Sequence, residues 1–367
     1  MSETLPRSLG PLVPGPNYRL LGPSDVRPAL KRAVSGFCDD PPVLLRHRSG
    51  RGGEPLPVPA RLSGAWRGEE LHLCPGDPHR AETIGLILDG ALAISTGSGP
   101  VSGPAAASLL GLAAPDEGGI AGPMRSSLAA LRLAAASPVV DIDLLTASLY
   151  YFGRRPLGRA LRSRTPDASS VASFLGLDRV DRVPEISGRF DPRYLSSAWF
   201  YWRAPGAPDG AEHWKLYVCI ALDALVEHLP AIATALADGG AQAFKVAGNA
   251  HGLCRPDRLI GYFADEHAMR AAARRIGSLV AGSPVEPLTF AVAIDAEGRT
   301  AYGRDPARDS LAALEGRSWR LWLCHHLARA LASAREAPSA EWSPACFALL
   351  RASVLGLDPA TFEPARG

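Results

Sequence analysis

Lysine is scarce in this 367-residue chain: of 39 basic side chains only three are lysine, Lys31, Lys215 and Lys245. Where positive charge is all that is needed, G+C-rich coding readily exchanges lysine for arginine, so a lysine kept among apolar residues points to a task arginine cannot do. Arginine does not deprotonate in proteins, whereas a lysine amine that is desolvated or crowded by other cations can become a neutral base. Lys215 and Lys245 lie in the short strand-like runs HWKLYVCI and AFKVAG, and proton chemistry is expected around them.

Other absences narrow the class. The six cysteines are widely spaced with no Cys-x-x-Cys pair, which argues against a structural zinc site and leaves reduced thiols as the expectation. No apolar run approaches the ~20 residues needed to span a bilayer, and the N-terminus lacks the basic-then-apolar layout of a signal peptide, so a cytoplasmic protein with no membrane partner is expected. A formal net charge of only +2 gives no reason to expect nucleic acid. The Gly97–Gly103 loop lacks the Gly-Lys-Ser/Thr ending of a phosphate-binding loop, and no nucleotide role is assigned to it. Adjacent residues on a helix point ~100° apart, so Cys324, His325 and His326 cannot converge on one metal; a core cysteine beside surface histidines is expected, and no metal or redox cofactor.

What is present is a hydrophobic content of 47%, enough for a sizeable core in one large or two ordinary domains. Residues 1–60 are dense in proline and arginine, with one helical candidate, Ser24–Phe37. The Gly/Ser/Pro-rich stretch Ser95–Pro104 follows the apolar segment Ile84–Ile94 and reads as a loop. Helices are predicted over Met124–Ala136 and Asp141–Phe152, then a basic stretch from Arg154 to Arg164 and a breaker-rich zone, Pro184–Pro192. From about Phe190 the hydrophobic period alternates between two and 3.6, the mark of an α+β domain. Strands are predicted at Trp199–Arg203, Trp214–Ile220, Ala243–Val246, Arg258–Phe263 and Leu288–Ile294. Helices are expected from near Pro230 to Gly239, over Glu266–Val280, and over Ser318–Ala334 with Ser318 as cap. The division expected is a mainly helical, irregular region over 1–189 and an α+β domain over 190–367 with a mixed or antiparallel sheet packed by helices.

Strand alternation places Lys215, Tyr217 and Cys219 on one face, turns Lys245 away from Phe244 and Val246, and groups Arg258, Ile260 and Tyr262. If these strands share a sheet, two amines, two phenols and the guanidinium groups of Arg255 and Arg258 line one pocket suited to a phosphorylated ligand. A solvated sheet face carrying both lysines satisfies the same spacing.

The series HWKLYVCI, AFKVAG, LCRPDRLIGYF and SWRLWLCHHLARAL resembles, over roughly Phe190 to Ala334, the HopA-type effector family. Bacterial relatives of that family serve as lyase subunits in the biosynthesis of class V lanthipeptides and thioamitides, and are similar in turn to phosphothreonine lyases. The resemblance implies that Lys215 and Lys245 are the paired lysines, Lys245 being the proton abstractor. It implies that Arg255, with Asp257 as its orienting partner, binds phosphate beside Tyr262, and that Arg258 or Arg320 assists. Tyr217 stands where phosphothreonine lyases carry a histidine as general acid, and Leu323 precedes Cys324 where the family shows an arginine nearby. The expected reaction is elimination of phosphate from phosphoserine or phosphothreonine in a precursor peptide, leaving dehydroalanine or dehydrobutyrine. A separate kinase subunit must then supply the substrate, with 1–189 available for docking it or the peptide's leader. The second class compatible with these residues is a non-catalytic subunit that binds a phosphopeptide or scaffolds such a complex.

Overall fold

The computed structural model describes residues 10–364 apart from 26–41, 49–54, 75, 78, 116, 118–119, 121, 179–185, 187, 197, 209–212 and 307–316. The expected helix Ser24–Phe37 therefore lies almost wholly outside the described residues. Helices and antiparallel sheets are both present, an α+β fold.

The chain packs as two units, one of residues 1–120, 128–150 and 306–367, the other of 121–127 and 151–305. These are not the blocks 1–189 and 190–367. The helices after residue 306 pack with the N-terminal elements because the helix Trp319–Glu336 is buried around its whole circumference, from Trp319 to Ala334, and needs partners on every side.

In the first unit those partners are the helices Ile142–Tyr150 and Pro344–Val354. Two three-stranded sheets complete it. Strands β1 (Leu12–Pro14), β5 (Leu92–Thr96) and β6 (Gly99–Val101) form one, and β2 (Tyr18–Leu20), β3 (Val43–His47) and β4 (Leu56–Val58) the other. The N-terminal region thus holds more strand than expected. Ser95–Pro104 is a hairpin and a helix start rather than a loop: Thr96 pairs with Gly99, and Gly99 at φ 120° takes a backbone angle that glycine alone adopts readily. The histidines expected on the surface are buried, His325 to 1% exposure and His326 to 5%. His325 Nε2 accepts from Arg329 at 3.1 Å, and burial holds its pKa well below the ordinary value.

The second unit is built on a seven-stranded antiparallel sheet in the order β12-β13-β9-β11-β10-β8-β7. Its strands are β7 (Asp191–Ser196), β8 (Trp199–Arg203), β9 (Trp214–Val218), β10 (Ala243–Ala247), β11 (Leu259–Phe263), β12 (Val292–Ala293) and β13 (Thr300–Arg304). The helices Leu222–Asp238 and Glu266–Leu279 cover one face. A Cβ on Gly261 would meet Leu236 at 2.7 Å, so glycine is what lets the first helix lie this close to β11. Arg270 of the second donates to Tyr302 of β13 at 2.8 Å, and Asp265 caps that helix by accepting from Ala268 N.

Three local expectations fail for identifiable reasons. Pro230 sits inside the helix Leu222–Asp238; burial of Leu225, Leu229, Ile232 and Leu236 along one face outweighs the backbone bond that proline forfeits. Only Val292–Ala293 of the alternating run Leu288–Ile294 is strand. Phe290 stands at φ 56° with its N–H donated to Ser127 Oγ at 3.0 Å, and Thr289 and Ala291 are buried along with Leu288, so the period of two marks no sheet face. Ser318 occupies the cap position of its helix without a side-chain cap bond.

Candidate active site

The sheet face away from those two helices carries the polar residues. Lys215 on β9 lies opposite Tyr262 on β11, and Lys245 on β10 lies opposite Ile260 on one side and Tyr201 on the other. Cross-strand partners share a face, and so do residues two apart on one strand. Lys215, Tyr217, Tyr262, Lys245, Tyr201 and Trp199 therefore stand together over four adjacent strands. Tyr217, Ile260, Tyr262 and Ala243 are buried as one cluster, with Trp199 and Tyr201 packed against it.

The two amines have different surroundings. Lys215, 7% exposed, is ion-paired to Asp305, its Nζ 2.7 Å from Oδ1 and 2.5 Å from Oδ2. Lys245 makes no hydrogen bond or ion pair among the described residues. Its Nζ lies 4.3 Å from the centroid of the Trp199 ring and 5.5 Å from that of Tyr262, while Lys215 Nζ lies 5.8 Å from Tyr262. Tyr262 thus forms the floor between the amines. Burial, followed by the Lys215 charge, lowers the Lys245 pKa from 10.5 to about 8; Arg255 acts in the same direction, and the carboxylates of Asp257 and Asp305 oppose it.

Arg255 follows the short helix Ala250–Leu253, whose cap Asn249 accepts from Gly252 N. Asp257 grips the Arg255 guanidinium along one edge, Nε to Oδ1 and Nη2 to Oδ2, both at 2.7 Å. Its guanidinium carbon lies 5.6 Å from the Trp199 ring and 5.2 Å from the Tyr151 ring. One indole therefore borders both the neutralisable amine and the clamped guanidinium. This is a compact cationic face, two carboxylates already committed, with one amine able to lose its proton near neutrality.

Arg258 does something else. It is wholly buried, donates from Nε to Arg255 O at 2.6 Å and from Nη1 to Ile220 O at 3.0 Å, and pairs with Glu286. It is a strut that holds the Arg255 backbone, and a phosphate ligand would have to displace those bonds. Arg320 belongs to the first unit, 2% exposed, donating to Tyr150 O at 2.9 Å and lying over the Tyr150 ring; there it closes the C-terminal end of the helix Ile142–Tyr150.

Sequence reasoning missed Trp199, Tyr151 and Asp305 as members of this face. Trp199 was legible as a strand residue, but its place beside Lys245 follows only from the pairing of Trp199 with Ala247. Asp305 was hidden because TAYGR, with its glycine and arginine, did not read as a strand.

No protein-family model and no curated protein matches the chain. Among solved structures it is similar to an effector protein from Pseudomonas syringae pv. syringae strain 61, at 15% identity and a TM-score of 0.39, over 66% of this chain and 99% of that one. It is also similar to an effector protein from Pseudomonas syringae pv. tomato strain DC3000, at 15% identity and a TM-score of 0.35, over 65% and 97% respectively. Likeness at this level adds no argument to the geometry. Among the described residues no helix is long and apolar enough to cross a membrane, and no group of side chains is placed to hold a metal ion.

Proposed function

We propose that the second unit is a phosphoserine or phosphothreonine lyase acting on a phosphorylated precursor peptide. The observation that carries this reading is Lys245, an amine held near neutral pKa on the same sheet face as a second ammonium and beside a carboxylate-clamped guanidinium. Elimination needs those parts. A base removes the Cα proton, the Cα–H electrons form the Cα=Cβ bond, and the Cβ–O bond breaks to release phosphate. Lys245 Nζ takes the proton. Arg255 holds the phosphate with the guanidinium edge that Asp257 does not grip, and the Lys215 ammonium stabilises negative charge developing on the substrate carbonyl oxygen. Arg258 acts at a remove, as the strut of the Arg255 backbone, and Arg320, engaged with Tyr150 in the first unit, has no part in the step. A separate kinase subunit supplies the phosphopeptide, and residues 1–189 remain the proposed dock for it or for the peptide's leader.

The decisive measurement is product mass. The protein, given a phosphorylated peptide, is expected to return one lighter by about 98 Da, the mass of phosphoric acid, whereas hydrolysis removes about 80 Da. The smaller loss would show a phosphatase.

Tyr217, two residues along β9 from Lys215 and on its face, is the proposed proton donor to the departing phosphate. Tyr217→Phe is expected to lower turnover by about 10²-fold with little change in peptide affinity. An unchanged rate would assign the proton to another donor. The burial of Tyr217 to 2% exposure within the cluster is the observation favouring the second reading, a phosphopeptide-binding subunit without catalysis, in which this tyrosine only packs. Tight phosphopeptide binding with no mass change would establish it.

A further inference from the structure

Beside Arg255 runs a segment that the elimination chemistry does not use. Tyr151 begins it, its ring under the Arg255 guanidinium, and Arg155 ends it, donating its N–H to Cys254 O at 2.9 Å and its Nη1 to Glu286 Oε1 at 2.8 Å. Gly153 turns at φ 81° between them. Fastened at both ends, the segment displays Arg154, whose guanidinium carbon lies 5.9 Å from that same Tyr151 ring and whose Nη2 donates to His251 Nδ1 at 2.6 Å. An imidazole ring brings no negative charge, so His251 orients Arg154 without neutralising it.

The ion pairing here is uneven. Arg155 and Arg258 share Glu286, and Arg255 has Asp257. Arg154 has no carboxylate partner among the described residues, although it shares an aromatic ring with the proposed phosphate clamp.

Resting on the lyase reading, we infer that Arg154 binds a carboxylate side chain close in sequence to the phosphorylated residue, so that the substrate class is an acidic phosphopeptide. The two guanidinium carbons are no farther apart than their two distances to the Tyr151 ring laid end to end. An extended peptide covers about 3.3 Å per residue, which places the acidic side chain within about three positions of the phosphate-bearing one. A guanidinium that is oriented but unneutralised gains a bond between opposite charges from such a residue and only a weaker bond, to a neutral carbonyl oxygen, from its amide counterpart.

The test uses the full-length protein and phosphothreonine peptides that carry Asp or Asn at each of the three positions on either side, with binding read by fluorescence anisotropy. At one or more positions Asp is expected to bind about 3- to 10-fold more tightly than Asn, and Arg154→Gln to remove that difference. Arg275→Gln, on the helix Glu266–Leu279 over the other sheet face, should leave it intact. Equal binding of all Asp and Asn peptides by the wild type overturns the inference, as does a preference that survives Arg154→Gln. Unphosphorylated versions separate the two levels: an Asp preference with no gain from phosphate keeps Arg154 in its role and sinks the lyase reading, while neither preference sinks both.

Discussion

Lys245→Arg is expected to abolish elimination while phosphopeptide binding persists. The substitution keeps a cation beside Trp199 and Tyr262, but a guanidinium cannot become the neutral base that the Cα proton requires. Loss of a positioned base costs about 10²–10⁴-fold in turnover, measured as release of inorganic phosphate. In the wild type, kcat/KM should rise with pH and level off above about 8, the Lys245 pKa. Bound phosphate stabilises the charged amine, so the inflection in kcat should lie at higher pH than that in kcat/KM. Stability carries the same signature. Between about 8 and 10.5 the folded protein binds fewer protons at this lysine than the unfolded chain does, so stability rises with pH across that window and Lys245→Met flattens the rise. A fully active Lys245→Arg would reduce this lysine to a charge on a packing stem.

Arg255→Ala is expected to do the reverse, removing the preference for phosphorylated over unphosphorylated peptide. A charged hydrogen bond contributes about 1.5–3 kcal/mol, so the phosphate-dependent part of the affinity should fall by roughly 10- to 150-fold. The substitution also takes from Asp257, whose side chain is only 3% exposed, its bidentate guanidinium partner, and breaking a buried ion pair is destabilising by about 3–5 kcal/mol. The double variant Arg255→Ala/Asp257→Asn removes that charge along with its partner. If it melts near the wild type and still distinguishes phosphopeptide from plain peptide, phosphate is held elsewhere.

How much of this could be read from the residues depended on whether the signal was local. β8, β10 and β11 were each legible as short runs of aromatic and branched residues, and so was the shared direction of Lys215 and Tyr217. β9 extends as strand to Val218, with Ile220 reaching only an isolated bridge to Val285. Which strands are neighbours was not legible, because pairing is decided by partners far away in the chain. That is why Trp199 and Asp305 escaped notice and why Arg258 looked available: its engagement depends on Glu286 and the Ile220 carbonyl. Apolar alternation in Leu288–Ile294 misled because a buried irregular segment satisfies the same pattern as a strand. The division of the chain was hidden for a similar reason, since the helix Trp319–Glu336 buries Arg320, His325, His326 and Arg329 along with its apolar residues, and such side chains do not announce in sequence that every side is covered.

The ion pair between Lys215 and Asp305 joins residues 90 positions apart, and this sets an order of events during synthesis. At about 5–20 residues per second, roughly 5–18 s separate the making of the lysine from that of its carboxylate. Until β11 is made β9 has no neighbour on either side, and from then on it keeps a bare ammonium and one unoccupied edge, because its pairing with β13 has to wait for the same late segment. Elongation past residue 305 both seals the edge and neutralises the charge, so a chain arrested before that point would present an aggregation-prone strand where the finished protein presents its reactive face.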